Sequence, residues 1–236
     1  MLPEEAWEKA AREFQSAWSR IADVEGGDRP RWEMRESKAG TLRTKTTYLC
    51  LERVPVATDS PLDPDQAEEE VDSSPDQGLW ECRPDEEVED GVVDAAGMKP
   101  HVYDFHVVYN SSFSVPELFI KGSRWDGSAL RFDEVIRDFS RGATGERSEQ
   151  ALCSVFLQKG HPLLLLPWFG FHLCETSGLV AMMLRASGDG AAADPRLSAL
   201  SNLSFELRYM VSWWSSVGKF VGLGLPLDLI PRSLVG

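Results

Sequence analysis

The chain has 236 residues, 42% of them hydrophobic and eight of them tryptophan, enough apolar material for one moderately large domain with a substantial core. Its net charge of −14 and pI near 4.7 exclude a nucleic-acid-binding role, because phosphate recognition rests on clustered Lys and Arg. Four cysteines (Cys50, Cys82, Cys153, Cys174) form no C-x-x-C pair, and the start shows no signal-peptide pattern; a reduced, cytoplasmic setting is therefore expected. The most apolar run, Leu163 to Leu173, has eleven residues, against the roughly twenty that a membrane span needs.

Residues 3 to 22 read as an amphipathic helix. Pro3 suits a first turn, Glu4, Glu5 and Glu8 favour its positive end, and Trp7, Phe14, Trp18 and Ile21 recur at helical spacing. Arg31 to Glu36 and Arg43 to Val54 follow as an antiparallel hairpin, turned at Ala39-Gly40. Between Asp59 and Asp94 stand fifteen acidic residues and one basic residue, Arg83, out of 38 acids and 24 bases in the whole chain. The remainder balances at 23 of each, so the entire net charge lives in this insert. With four prolines and little apolar surface it is expected to stay disordered. Read blandly it is a solvated loop; the alternative is a partner-docking arm anchored by Leu79-Trp80 and Val92-Val93.

His101 to Asn110 and Val115 to Lys121 are strands, and Trp125 to Ser128 is a turn. Phe132 to Phe139 has helical spacing, and Gly142 to Arg147 is a loop. A second helical pattern runs from Glu149 to Leu157, stopped by Gly160 and Pro162. The apolar run broken by Pro162 and Pro167 reads as an irregular crossing that leads to Cys174. A helical face follows at Leu179, Val180, Met183 and Leu184, and a last helix is predicted over Leu197 to Val217. The order of elements predicts an α+β domain built on one antiparallel sheet of about four strands flanked by helices.

Cys174 is the best candidate nucleophile. It directly precedes Glu175-Thr176-Ser177, residues that open helices, where unpaired N–H groups and the helix dipole favour the thiolate. A buried structural thiol is the commoner outcome for a cysteine so placed. Cys50, in a strand pattern, and Cys153, in a helical one, read as packing residues, while carboxylates around Cys82 blunt its reactivity. His101 and His106, five apart on a strand, point to opposite faces, and His172-x-Cys174 supplies at most two ligands, so no metal site is expected. No G-x-S-x-G elbow is present, and no histidine follows Cys174 as papain-like chemistry would want.

Several motifs in a fixed order carry a resemblance. They are Tyr109-Asn110-Ser111-Ser112-Phe113-Ser114-Val115-Pro116-Glu117-Leu118-Phe119, Asp126-Gly127, His161-Pro162, Pro167-Trp168-Phe169, His172-Leu173-Cys174 and the ending Trp213-Trp214-Ser215-Ser216-Val217-Gly218 to Leu227. The set resembles the autophagy-related protein 10 family, over roughly residues 101 to 228. The resemblance implies a ubiquitin-conjugating-enzyme-like core, with residues 1–236 as a single domain carrying the insert 59–94. It also implies a transferase working through a cysteine thioester. Cys174 would accept autophagy-related protein 12 from the activating enzyme, autophagy-related protein 7, and pass it to a lysine of autophagy-related protein 5. No cofactor is expected in such a relay, since it divides amide synthesis into two exchanges. An open sheet edge is a place where the acceptor could add a strand.

The family's cysteine lies in a His-Pro-Cys triplet, and this chain carries Leu173 in place of the proline, which loosens the backbone before the thiol. His172 is a candidate for orienting the loop or for proton transfer. Ubiquitin-conjugating enzymes place an asparagine just before their cysteine, and none stands there. Asn110, Tyr48 or backbone N–H groups near Glu175 are the candidates for the oxyanion donor. Two alternatives remain at this level. One is an autophagy-related protein 3-type enzyme conjugating the protein 8 modifier to phosphatidylethanolamine. The other is a non-catalytic relative that only binds partners.

Overall fold

The structure, a computed structural model, describes residues 2–24, 30–37, 46–57, 99–141, 152–153, 155–171 and 203–225. In chain order the elements are α1 (Glu4–Val24), β1 (Glu33–Ser37), β2 (Thr46–Val56), β3 (His101–Asn110), β4 (Val115–Ser123) and α2 (Phe132–Arg141). After these come β5 (Phe156–Gly160), β6 (Pro167–Phe171), α3 (Phe205–Val217) and a 3-10 turn at Gly218–Val221. The six strands form one sheet in the order β1-β2-β3-β4-β6-β5, and every pairing is antiparallel. This is the α+β architecture expected from the order of elements.

Strand alternation divides the sheet into two faces. The inner face carries Leu49, Leu51, Tyr103, Phe105, Val107, Leu118, Ile120, Phe169 and Phe171, which share the main core with α1, α2 and α3. From α1 the buried stripe is Trp7, Ala10, Ala11, Phe14, Ala17 and Trp18, the helical face read from the sequence. Phe14, Trp18 and Trp32 close on Trp214 of α3, with ring centroids 6.1, 6.1 and 5.1 Å from its own. Polar ends are satisfied as the rings go inside: Trp7 Nε1 donates to the Thr47 carbonyl at 2.8 Å, and Trp18 Nε1 to that of Pro30 at 3.0 Å. Trp214 Nε1 donates to the Leu223 carbonyl at 2.9 Å. That turn requires Gly218, because a Cβ there would lie 2.5 Å from the same oxygen.

The outer face carries a second, smaller cluster: Tyr48, Cys50, Val108, Phe119 and Trp168, with Leu163 packed against it. In β2 the alternation is re-phased by a bulge between Leu51 and Val54, where Arg53 takes φ 56°. The bulge lets Val54 return to the core, and the Arg53 N–H donates to Asp104 Oδ1 at 2.9 Å.

Several expectations need correction. The sheet has six strands rather than about four. The helical reading of Glu149 to Leu157 fails at Phe156, and the irregular crossing is a hairpin, β5 and β6, running in register from Phe156–Phe171 to Gly160–Pro167. The physical reason lies in the prolines. Pro162 sits in the turn and Pro167 is the first residue of β6, positions where a missing N–H breaks no ladder. They therefore bound strands instead of interrupting a crossing. Cys153 is exposed, not packed, since Leu152 takes the core position of that short helical segment. The last helix is described from Phe205, where Ser204 caps it by accepting the Leu207 N–H; Leu197 to Asn202 lie outside the described residues. So do the Ala39-Gly40 turn, the acidic insert 59–94, the 142–147 loop and the helical face from Leu179 to Leu184. Among the described residues no helix is long and apolar enough to cross a membrane.

Candidate active site

Cys174 and His172, together with Cys82, lie outside the described residues. What the structure places is the approach to them. Strand β6 ends at Phe171, so the thiol is three residues further on, at most about 11 Å away by chain length. Because β6 runs antiparallel to β4, pairing Phe169 with Ile120 and Gly170 with Phe119, it leaves the sheet in the direction of Glu117 and Val115. Val115 is paired with Asn110. Tyr48 is opposite Val108, and Asn110 is two residues along the same face, a diagonal neighbour. The two described candidates for oxyanion donor thus share the outer face, at the end toward which β6 heads.

Asn110 is locked. Its Oδ1 accepts the Phe113 N–H at 3.2 Å, and its Nδ2 donates to Glu117 Oε2 at 3.0 Å. A backbone donor on one side and a carboxylate on the other select the same orientation of the amide. Glu117 is 4% exposed, a depth at which a carboxylate needs a charge partner. Lys159 of β5 supplies it through a direct Nζ–Oε1 contact. The lysine stem reaches Glu117 by crossing over β6 at Gly170, where an added Cβ would stand 2.6 Å from its Cδ. Its Nζ lies 5.1 Å from the centre of the Phe119 ring.

Next to this group stands a histidine pair. Buried His161 accepts the N–H groups of Leu163 and Leu164 at Nδ1, each at 3.2 Å. Its proton is therefore on Nε2, which donates to His106 Nδ1 at 3.0 Å. His106 in turn must carry its proton on Nε2, directed at Glu52 Oε1 3.9 Å away. Glu52 is held by Arg35 at 2.5 and 2.9 Å. Burial, reinforced for His106 by the neighbouring His161, pushes His106 down to about 3 and His161 to about 4, so both rings are neutral at ordinary pH. Trp168 packs on both imidazoles, 4.4 and 4.8 Å between centres, and its Nε1 has no hydrogen-bond partner among the described residues. As the alternation of β3 requires, His101 faces the other way, its Nδ1 2.7 Å from Asp138 Oδ2.

Chemically, Cys50 is a poor nucleophile. Cys50 is buried, which with the Glu52, Glu33 and Asp104 carboxylates pushes its thiol up to about 11 against the opposing effect of Arg35. Burial likewise raises Tyr48, so its phenol keeps its proton and remains a donor. No group of three or more metal-ligating side chains occurs among the described residues. Sequence reasoning missed Glu117, Lys159 and the His106–His161 contact. A glutamate inside the apolar run Val115 to Ile120 was the signal for the first; the pairing of His106 with His161, 55 residues apart, leaves none.

The chain belongs to the family described as autophagocytosis associated protein, active-site domain, which matches residues 6–228. Among curated relatives, it is similar to the ubiquitin-like-conjugating enzyme ATG10 of Arabidopsis thaliana, 27% identical over 97% of this chain and 95% of that one. The enzymes of the same name from Dictyostelium discoideum and Homo sapiens are 27% and 29% identical. They cover 56% and 57% of this chain, and 55% and 54% of their own length.

Proposed function

We propose that this protein is a ubiquitin-like-conjugating enzyme of autophagy with Cys174 as its nucleophile. The observation that carries the reading is the active-site-domain family match, which runs through Cys174 and spans all six strands of the sheet. In the first step the Cys174 thiolate attacks the thioester carbonyl joining the modifier's C-terminal glycine to the activating enzyme. The new C–S bond forms, and the activating enzyme's thiolate leaves. In the second, a neutral lysine amine attacks the Cys174 thioester; a C–N bond forms, the Cys174 thiolate departs, and the amine proton passes to a base or to solvent. Each step develops an oxyanion. Asn110 is the donor we assign to it, with protonated Tyr48 beside it and His172 orienting the loop. The resemblance of the motifs supports autophagy-related proteins 12, 7 and 5 as modifier, activating enzyme and acceptor, in the cytoplasm.

Mixing activating enzyme, ATP, modifier and this protein and running a non-reducing gel tests the reading. A thiol-sensitive adduct is expected, absent in Cys174→Ala and replaced by a thiol-resistant oxyester in Cys174→Ser. An adduct that persists in Cys174→Ala would remove Cys174 from its role.

A further inference from the structure

We infer that Glu117, neutralised by Lys159, is the positioning residue that aims the Asn110 carboxamide for acyl transfer. The inference rests on the conjugating-enzyme reading above and deepens it. An asparagine at the last position of a strand has a rotatable amide, and a donor that must be reset at each turnover contributes little to an oxyanion site. Here both ends of the amide are engaged. The Phe113 N–H holds Oδ1, and Glu117 Oε2 holds one of the two Nδ2 protons. The second Nδ2–H makes no hydrogen bond among the described residues and belongs to a group on the outer face, at the end toward which β6 leads. A carboxylate buried to 4% exposure is a costly way to fix a side chain, and a neutral acceptor would have fixed it more cheaply. What Glu117 supplies is a fixed acceptor, while the Phe113 N–H on Oδ1 polarises the amide, so that the free N–H of Asn110 becomes a better fixed donor.

Three features build this arrangement from separate elements. Glu117 comes from β4, Asn110 from β3 and Lys159 from β5. Lys159 does not lie beside β4 in the sheet, because β6 intervenes. It reaches across only because position 170 is glycine. Glycine at 170 and a lysine at 159 thus bring the positive charge to Glu117 from a strand away.

Two single-turnover rates test the inference: charging of the protein from the activating enzyme, and discharge of the preloaded thioester to free lysine. Glu117→Ala is expected to slow discharge about 10- to 100-fold, with Glu117→Gln retaining most of the rate because its carbonyl still accepts from Nδ2. Since Glu117 acts through Asn110, the double variant Asn110→Ala/Glu117→Ala should discharge no more slowly than Asn110→Ala alone. Should Glu117→Ala fold poorly, Glu117→Met/Lys159→Met removes both charges with volume kept, a replacement that buried ion pairs tolerate. It should show the same loss in discharge with an unchanged melting temperature. Wild-type discharge rates in either variant, or additive losses in the Asn110 double variant, would overturn the inference. Failure of the wild type to form any thioester would instead overturn the conjugating-enzyme reading, so the two failures are distinct.

Discussion

His161 shows how much one side chain can organise. Its backbone N–H donates to the Leu166 carbonyl at 2.8 Å, its carbonyl accepts the Leu165 N–H at 2.9 Å, and its ring accepts two more N–H groups while donating to His106. The ring's acceptance of the Leu163 and Leu164 N–H groups needs neutral imidazole. Because the folded pKa values, about 3 and 4, lie below the unfolded value near 6.5, the unfolded chain binds protons that the folded one refuses. Stability from this source is complete above pH 6.5 and is lost as pH falls toward 4. The slope should approach 1.4 kcal/mol per pH unit for each histidine, an order-of-magnitude figure. Urea unfolding at pH 4.5, 5.5 and 6.5 checks it: His106→Gln should flatten the dependence, and an equally steep one in that variant would contradict the neutral pair. The cysteines give a second residue-scale expectation. In a Cys82→Ala/Cys174→Ala background, an alkylating reagent should modify exposed Cys153 in the native protein, and buried Cys50 only on unfolding.

At the scale of elements, the described residues include three strained non-glycine positions, one of them Ser114 at φ 53° in the β3–β4 turn. Arg53 at φ 56° forms the β2 bulge, and Leu165 at φ 57° sits in the β5–β6 turn with 81% of its surface exposed. Leu164 and Leu166 flank it, both exposed. A branched residue in the left-handed region costs about 1 kcal/mol or more, and its exposed side chain returns nothing through packing. Leu165→Gly should therefore raise the melting temperature slightly; a fall of several degrees would mean that the leucine makes a stabilising contact. Ser204 is the opposite case, a cap placed where α3 begins. Its hydroxyl contacts Glu13 of α1 as well as accepting from Leu207, and Lys9 of α1 reaches Glu206 at 2.8 Å. Ser204→Ala should cost about 1 kcal/mol, read as a shift in the denaturation midpoint.

Across the whole molecule, α1 and α3 meet through aromatic rings over the inner face, while Asn110, Glu117, Lys159 and the His106–His161 pair stand on the outer one. That separation keeps the aromatic core apart from the buried polar groups of the outer face. Trp214 touches Phe14, Trp18, Trp32 and Trp213, so Trp214→Ala should cost about 3–5 kcal/mol without altering the outer-face groups directly. A circular-dichroism melt would report the loss, and a change below 1 kcal/mol would show that the ring cluster contributes little.

Local patterns in the chain were enough to read α1, the β1–β2 pairing, β3, β4, α2 and the tryptophan end of α3, because each repeats with its own period and bears its own turn or cap residues. They were also enough to put His101 and His106 on opposite faces and to place Tyr48 and Asn110 on strands. The β5–β6 hairpin escaped, since a five-residue apolar strand and a turn of helix have the same composition, and only pairing with a neighbour separates them. What the tertiary structure alone decided was the company of the polar groups. Whether Glu117 is paired, by which lysine, and which histidine His106 meets depend on strand order and register. Those are set by how the strands close against the helices, so residues 42 and 55 positions apart come into contact with no local mark of it.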